Sequence, residues 1–203
     1  MIERVADALR RNGFEPYIAD GMDGARDLFF GTLLPSIAPA SVSYGDSETL
    51  RSCGIIEGLR SRSDIEFIDP FPGDLWDESL ETSRRGLLTD LFLAGANAVT
   101  EDGKIVNLDM AGNRVTGIAF GPRRVALFAG EGKIVSDREA AMERVKREIA
   151  PANARRNADL RTPCQKTGTC TDCSSPDRIC NVWSILEKCW PRGRIAVVLI
   201  RGE

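Results

Sequence analysis

The sequence contains no histidine, and that absence removes whole classes of chemistry. Serine and cysteine triads with an imidazole base are excluded, as is any mixed cysteine–histidine zinc site. Long apolar runs are missing too. No window approaches the roughly 18 consecutive apolar residues of a membrane span, and the opening MIERVADALRRNGF carries charges throughout instead of a signal peptide's apolar core. Excess positive charge is also lacking: the net charge is −3 and the pI is near 5.3. No basic run is dense enough to mark a nucleic-acid or membrane surface, and the one basic cluster, residues 144–161, reads as helix surface. There is no internal repeat and no low-complexity segment. The expectation is a cytoplasmic protein with no membrane span and no nucleic-acid partner.

What is present is a chain of 203 residues, enough for one well-packed core. Ile2, Val5, Ala6 and Leu9 share one helical face, and Asn12-Gly13 stops that helix. Strands are expected at residues 15–19, 40–44, 65–68, 91–94, 125–129 and 194–200, several as short apolar runs of the kind buried on both faces of a parallel sheet. Between them fall helical patterns: residues 20–34 ended by Pro35, a short helix opened by Ser47 and Thr49, and one over residues 80–88 fed by the loop FPGDLWDESLE. A further helix is capped by a Ser136/Glu139 box and ends before Pro151, and another covers residues 153–160. This alternation predicts an open, mostly parallel α/β sheet with helices on both faces. Residues 1–203 read as one domain, with a cysteine-rich segment at residues 162–192 as its only candidate for a separate unit.

Polar residues with a possible chemical role concentrate between residues 90 and 130. Asn97, Thr100, Glu101, Asp102, Asn107, Asp109, Asn113 and Arg114 are interleaved with Gly95, Gly103 and Gly112. Asp102-Gly103 between AVT and KIVNLD predicts a hairpin. The segment after Gly112 reads as a strand or, from the spacing of Val115, Ile118 and Ala119, as a short helix with Asn113 as N-cap, its free N–H groups a place for an anion. A second candidate is SYGDSETL, between a strand and a helix, where Gly45 permits close approach and the hydroxyls of Ser47 and Thr49 add donors to a phosphate or carboxylate. Asp46 and Glu48 must turn away from such an anion, or the ligand must bring a cation. The bland alternative is that these residues only cap and turn.

The third candidate is TPCQKTGTCTDCSSPDRICN. In a cytoplasmic protein, cysteine spacing reads first as metal or redox chemistry. Cys164, Cys170, Cys173 and Cys180 fall at x5, x2 and x6 intervals. Four thiolates so spaced suit a tetrahedral zinc or an iron–sulfur cluster, and spacing does not choose between them. A dithiol or disulfide, or inert buried cysteines, are the alternatives. Cys53 and Cys189 read as structural.

At TGTCTDC and SPDRICN the sequence resembles the lactate-utilization (LUD) domain family. GANAVTEDGKIVNLDMAGNRV, FGPRRVALFAGEGKIV and YGDSETL extend the likeness over nearly the whole chain. The resemblance implies a NagB/RpiA/CoA-transferase-like fold and an association with L-lactate oxidation alongside iron–sulfur partner subunits. SYGDSETL is similar to the phosphate loop of ribose-5-phosphate isomerases, and GANAVTEDG to their acidic segment. Asp46 stands where the family more often has glycine, and Gly132 before Lys133 replaces a frequent asparagine; both departures count against a tight phosphate site.

Two functional readings follow, beside a third in which the protein is a purely structural partner and both polar regions are turns. In one, the protein is an accessory or redox component of lactate oxidation. It binds a small anionic ligand through Tyr44, Gly45, Ser47, Thr49, Asn97, Thr100, Asn107, Asp109, Gly112, Asn113 and Arg114, and holds a metal centre on the four cysteines. In the other it is an isomerase- or CoA-transferase-like enzyme with a structural zinc. There Glu101 or Asp102 acts as base or nucleophile, and Lys133 or Arg114 neutralises charge developing on an oxygen.

Overall fold

Ile2, Val5, Ala6 and Leu9 are buried along one face of helix α1 (Ile2–Arg11), as their spacing predicts. This computed structural model describes residues 1–71, 76–157 and 159–203. After α1 come β1 (Glu15–Asp20), α2 (Gly21–Leu28), α3 (Leu34–Ile37), β2 (Ser41–Tyr44), α4 (Glu48–Ser52), α5 (Ile55–Arg60), β3 (Glu66–Ile68), α6 (Trp76–Gly86) and β4 (Leu91–Gly95). The second half runs through β5 (Ala98–Thr100), β6 (Ile105–Asp109), α7 (Asn113–Ala119), β7 (Arg124–Gly130), β8 (Ile134–Val135), α8 (Arg138–Arg144), α9 (Ala150–Arg156), α10 (Pro163–Thr167), β9 (Val182–Leu186) and β10 (Ile195–Arg201).

Six strands make one parallel sheet in the order β1-β10-β7-β4-β2-β3. Side chains alternate in direction along each strand. Leu91 and Leu93, Ala126 and Phe128, and Ala196 and Val198 therefore pack on one side, under the α2–α5 layer. Their neighbours Phe92, Ala94, Val125, Leu127, Val197 and Leu199 pack on the other, against α1, Ile118 of α7, and Val99 and Ile105 of the hairpin. The sheet is thus the open α/β type expected, covered on both faces. No helix among the described residues is long and apolar enough to cross a membrane.

The expected hairpin, β5–β6, belongs to a second sheet, β8-β5-β6-β9, that the sequence did not predict. Its turn requires glycine twice over. Gly103 has φ +81°, and a Cβ there would come 2.7 Å from the backbone of Ala8 and Leu9. Strand β9, inside the cysteine-rich segment, pairs antiparallel with β6 from Ile105↔Leu186 to Asp109↔Val182. That ladder stitches the segment to the rest of the chain.

Neither Pro35 nor Pro151 ends its helix. Each follows a widened π turn, Phe29–Leu33 and Val145–Ile149, and the helix continues to Ile37 and to Arg156. A proline lacks the N–H and its ring crowds the carbonyl four residues back; a wider turn just before it relieves that conflict. The helix expected over residues 153–160 is accordingly the end of this longer one, with Ala158 outside the described residues. Helix α6 begins at Trp76, inside the stretch read as loop; residues 72–75 of that loop are outside the described residues. The α8 cap is Asp137, whose carboxylate accepts from the Ala140 N–H at 2.8 Å; Ser136 donates to Asp137, and Glu139 pairs with Arg138.

Candidate functional site

The strands β2, β4 and β7 run parallel and end at one edge of the sheet, the edge where open α/β folds bind ligands. A cavity of about 800 Å³ opens there. Ser47, the N-cap of α4, and Thr49 in its first turn reach it, with Asn97 from between β4 and β5, Asp109 from the end of β6, Asn113 and Arg114 from the start of α7, and Lys133 from the turn after β7. All seven are residues the sequence singled out. The far wall was missed: Ala150, Asn153 and Arg156 of α9, and Ile179. The one sequence signal for that wall is charge complementarity between the basic stretch, residues 144–161, and the acid Glu48 at the start of α4. Arg156 pairs with Glu48, and Arg51 with Asp46 at 2.7 Å. The two acids that told against an anion are neutralised in this way.

Other candidates lie elsewhere. Tyr44 is buried, stacks on Phe67 and donates to Asp69 at 2.9 Å. Burial, then that hydrogen bond and charge, push its phenol far above its usual range. Thr100 hydrogen-bonds Asp102 and receives the Lys104 N–H at 2.9 Å. Asn107 is fully buried, its Oδ1 accepting the Asn97 N–H at 3.0 Å. Gly112 is the α7 N-cap, at φ +89°. Glu101 and Asp102 are exposed at the hairpin turn and do not line the cavity. Hydrogen bonds from Lys104, then Thr100, hold the Asp102 carboxyl below its usual range.

Gly45 is beneath the cavity, where a Cβ would come 2.5 Å from Cγ of Arg114. The loop after β2 presses directly on the arginine's stem, which explains a glycine there.

Arg114 is saturated. Its Nε donates to Asp109 at 3.4 Å, Nη1 to the Gly95 carbonyl at 3.2 Å and to Asn107 at 3.5 Å, and Nη2 to the Leu108 carbonyl at 2.8 Å and to Asn97 at 3.2 Å. With five N–H groups and five acceptors, it has charge but no donor to offer a ligand. Asp109 also takes the Arg114 and Val115 backbone N–H groups, at 2.9 and 3.2 Å. The helix end expected to hold an anion is already capped by this carboxylate. Asn113, expected as N-cap, is instead the first helical residue and donates to Ser83 at 3.3 Å.

Lys133 is different. Its Nζ donates to Thr49 Oγ1 at 2.8 Å, and no carboxylate among the described residues comes within ion-pair distance. Burial, then the positive charges of Arg114 and Arg144, pull its pKa down to about 8. Thr49 Oγ1 accepts that bond and Ser47 Oγ accepts from the Leu50 N–H at 3.4 Å, so both hydroxyl protons remain to be donated. An ammonium, two hydroxyls and the charge of Arg114 make a receptor for a small anion.

Cys164, Cys170, Cys173 and Cys180 line one small cavity of about 10 Å³ with Arg178. Arg178 ties the loop together, donating to the carbonyls of Cys173 at 2.6 Å and Cys180 at 3.0 Å and to Asp172 at 2.9 Å. The Asp172 N–H donates to Cys170 Sγ at 3.4 Å. Burial pushes the Cys180 thiol up. Among the described residues no group of three or more cysteine or acidic side chains is drawn together closely enough to hold a metal ion. Cys53 and Cys189 are buried away from this nest. Ala150 and Ile179 wall both cavities, so the nest adjoins the anion receptor.

The LUD domain family model matches residues 2–200. The chain belongs to the LUD domain family, which relates it to lactate utilization. In fold it is similar to the crystal structure of a DUF162 family protein from Deinococcus radiodurans, with a TM-score of 0.52 and 12% identity, over 99% of this chain and 96% of that one. No curated protein gives a significant match.

Proposed function

We propose that the protein is an accessory or redox component of L-lactate oxidation that binds a 2-hydroxy or 2-oxo carboxylate in the cavity at the strand ends. One observation carries this reading: the Lys133 ammonium lines the cavity with a hydroxyl for a neighbour and, among the described residues, no carboxylate within ion-pair distance. A half-buried cation without an acidic partner is costly to keep charged unless a bound anion neutralises it. The test is thermal denaturation with L-lactate and with pyruvate, since any ligand of the native state raises apparent stability. A shift with these acids that phosphate and ribose 5-phosphate do not produce supports the reading, and its absence overturns it.

The cysteine nest supplies the redox half of the proposal. Cys164, Cys170, Cys173 and Cys180 would hold an iron–sulfur cluster, which supplies one-electron chemistry when bound, or a zinc, which would only staple the segment. What supports a thiolate centre is that four free thiols surround one cavity and a backbone N–H already donates to one sulfur. Iron–sulfur partner subunits would be the electron acceptors. Iron, zinc and acid-labile sulfide content after oxygen-free purification decides between the two.

A second reading is favoured by volume. About 800 Å³ lies in the range that holds drug-sized ligands and exceeds what a three-carbon acid fills. A sugar phosphate or CoA-linked substrate would use it, and stabilisation by one of these alone would favour an isomerase- or transferase-like enzyme.

A further inference from the structure

An amine that lines a ligand cavity without an acid partner can do more than attract an anion. Lys133 has three features of a nucleophilic lysine. It is half-buried at the cavity wall, it feels the positive charges of Arg114 and Arg144, and its hydrogen-bond partner among the described residues, Thr49, is uncharged. Desolvation and neighbouring positive charge favour the free amine. Among the described residues no carboxylate pairs with it to lock it as a permanent ammonium. Of the five lysines in the chain, Lys104 is paired with Asp102 at 2.8 Å and Lys146 with Asp172 at 3.3 Å, and Lys133 alone lines the large cavity.

We propose that Lys133 forms an imine with the carbonyl carbon of a 2-oxo acid bound in this cavity. The proposal rests on the carboxylate-binding reading and gives the site a covalent chemistry. The Nζ lone pair forms the C–N bond and gives a carbinolamine. The carbonyl oxygen then leaves as water, carrying away the two hydrogens that Nζ loses, and a C=N bond remains. Nothing is oxidised or reduced. The hydroxyls of Ser47 and Thr49 are placed to donate to the departing oxygen or to the carboxylate, and Arg114 supplies charge without competing for the carbonyl. The product of dehydrogenating a 2-hydroxy acid is the class of compound this amine would capture.

The experiment uses the full-length protein, pyruvate as probe and cyanoborohydride, which adds hydride to an imine and fixes it as a secondary amine. Peptide mass spectrometry then locates the adduct. The expected result is modification concentrated on the peptide carrying Lys133, absent without pyruvate and lost in Lys133→Arg. Equal labelling of all five lysines, labelling that omits Lys133, or no labelling overturns the proposal. Wild-type mapping does not depend on the variant folding. Thermal shifts with L-lactate, which has no carbonyl to trap, separate the two ideas. A lactate shift without an adduct leaves carboxylate binding standing and removes the imine, and neither signal removes both.

Discussion

Lys133 donates to Thr49 across 84 positions of sequence, joining the turn after β7 to the first turn of α4 at the wall of the cavity. Each residue lacks something the other cannot supply. The lysine needs a negative charge, and the threonine has a proton still to give. An anion between them completes both.

Replacing Lys133 with methionine is expected to stabilise the ligand-free protein while abolishing the stabilisation by carboxylates. The pKa drop from 10.5 to about 8 corresponds to about 3 kcal/mol at ~1.4 kcal/mol per unit. Partial exposure and the lost bond to Thr49 reduce the expected gain to about 1–2 kcal/mol. Thermal denaturation with and without L-lactate checks both halves, and a variant that still responds to the acid refutes the role of Lys133.

Carboxylate affinity should fall as pH rises through about 8, where the free Lys133 loses its proton. The effect on stability has the opposite sign. Because the folded pKa lies below the unfolded one, the penalty from this lysine is fully present below about pH 8 and fades as pH climbs toward 10.5. Calorimetric titrations between pH 6.5 and 9.5 measure the first effect, and comparing wild type with Lys133→Met in denaturant measures the second.

Arg114→Lys should destabilise about as much as Arg114→Ala, by roughly 3–5 kcal/mol, the usual cost of breaking a buried charge network. An ammonium has three donors on a point and cannot span the acceptors from Gly95, Asn97, Asn107, Leu108 and Asp109 that the planar fork reaches. Gly45→Ala tests the same contact from the other side: its Cβ must displace the arginine's stem, at about 1–3 kcal/mol. Denaturant midpoints of the three variants give the comparison, and a lysine that restores wild-type stability would show the fork geometry to be dispensable.

Alanine at Cys164, Cys170, Cys173 or Cys180 should each lower bound metal, while alanine at Cys53 or Cys189 should not. The measured quantity is metal and sulfide per chain after oxygen-free purification. Equal loss from all six variants would point to general misfolding instead of a four-thiolate centre.

Glu101→Gln should leave carboxylate binding unchanged, since Glu101 is exposed at a hairpin turn and does not line the cavity. A lost thermal shift in that variant would return the hairpin acids to the centre of the mechanism.

Local pattern was enough for the scaffold. Alternating apolar strands and amphipathic helices, punctuated by glycine and proline, dictate an open α/β sheet because side-chain direction repeats at 2 and 3.6 residues whatever lies far away. Asp102-Gly103 announced its hairpin for the same reason. The second sheet did not show, because β8 is only two residues long and both β8 and β9 find their partners only across long separations. The prolines misled, because the widened turns that let the helices continue are not encoded in the prolines themselves.

The sequence by itself determined which polar residues stand near strand ends, and so named Ser47, Thr49, Asn97, Asp109, Asn113, Arg114 and Lys133. Only the tertiary structure decided their roles. Whether a charge is available depends on who else is paired: Asp46 is taken by Arg51, Glu48 by Arg156 and Asp109 by Arg114. Of these, Glu48–Arg156 joins distant parts of the chain while the other two each span five positions, and together they leave Lys133 facing the cavity with no acid in ion-pair distance among the described residues.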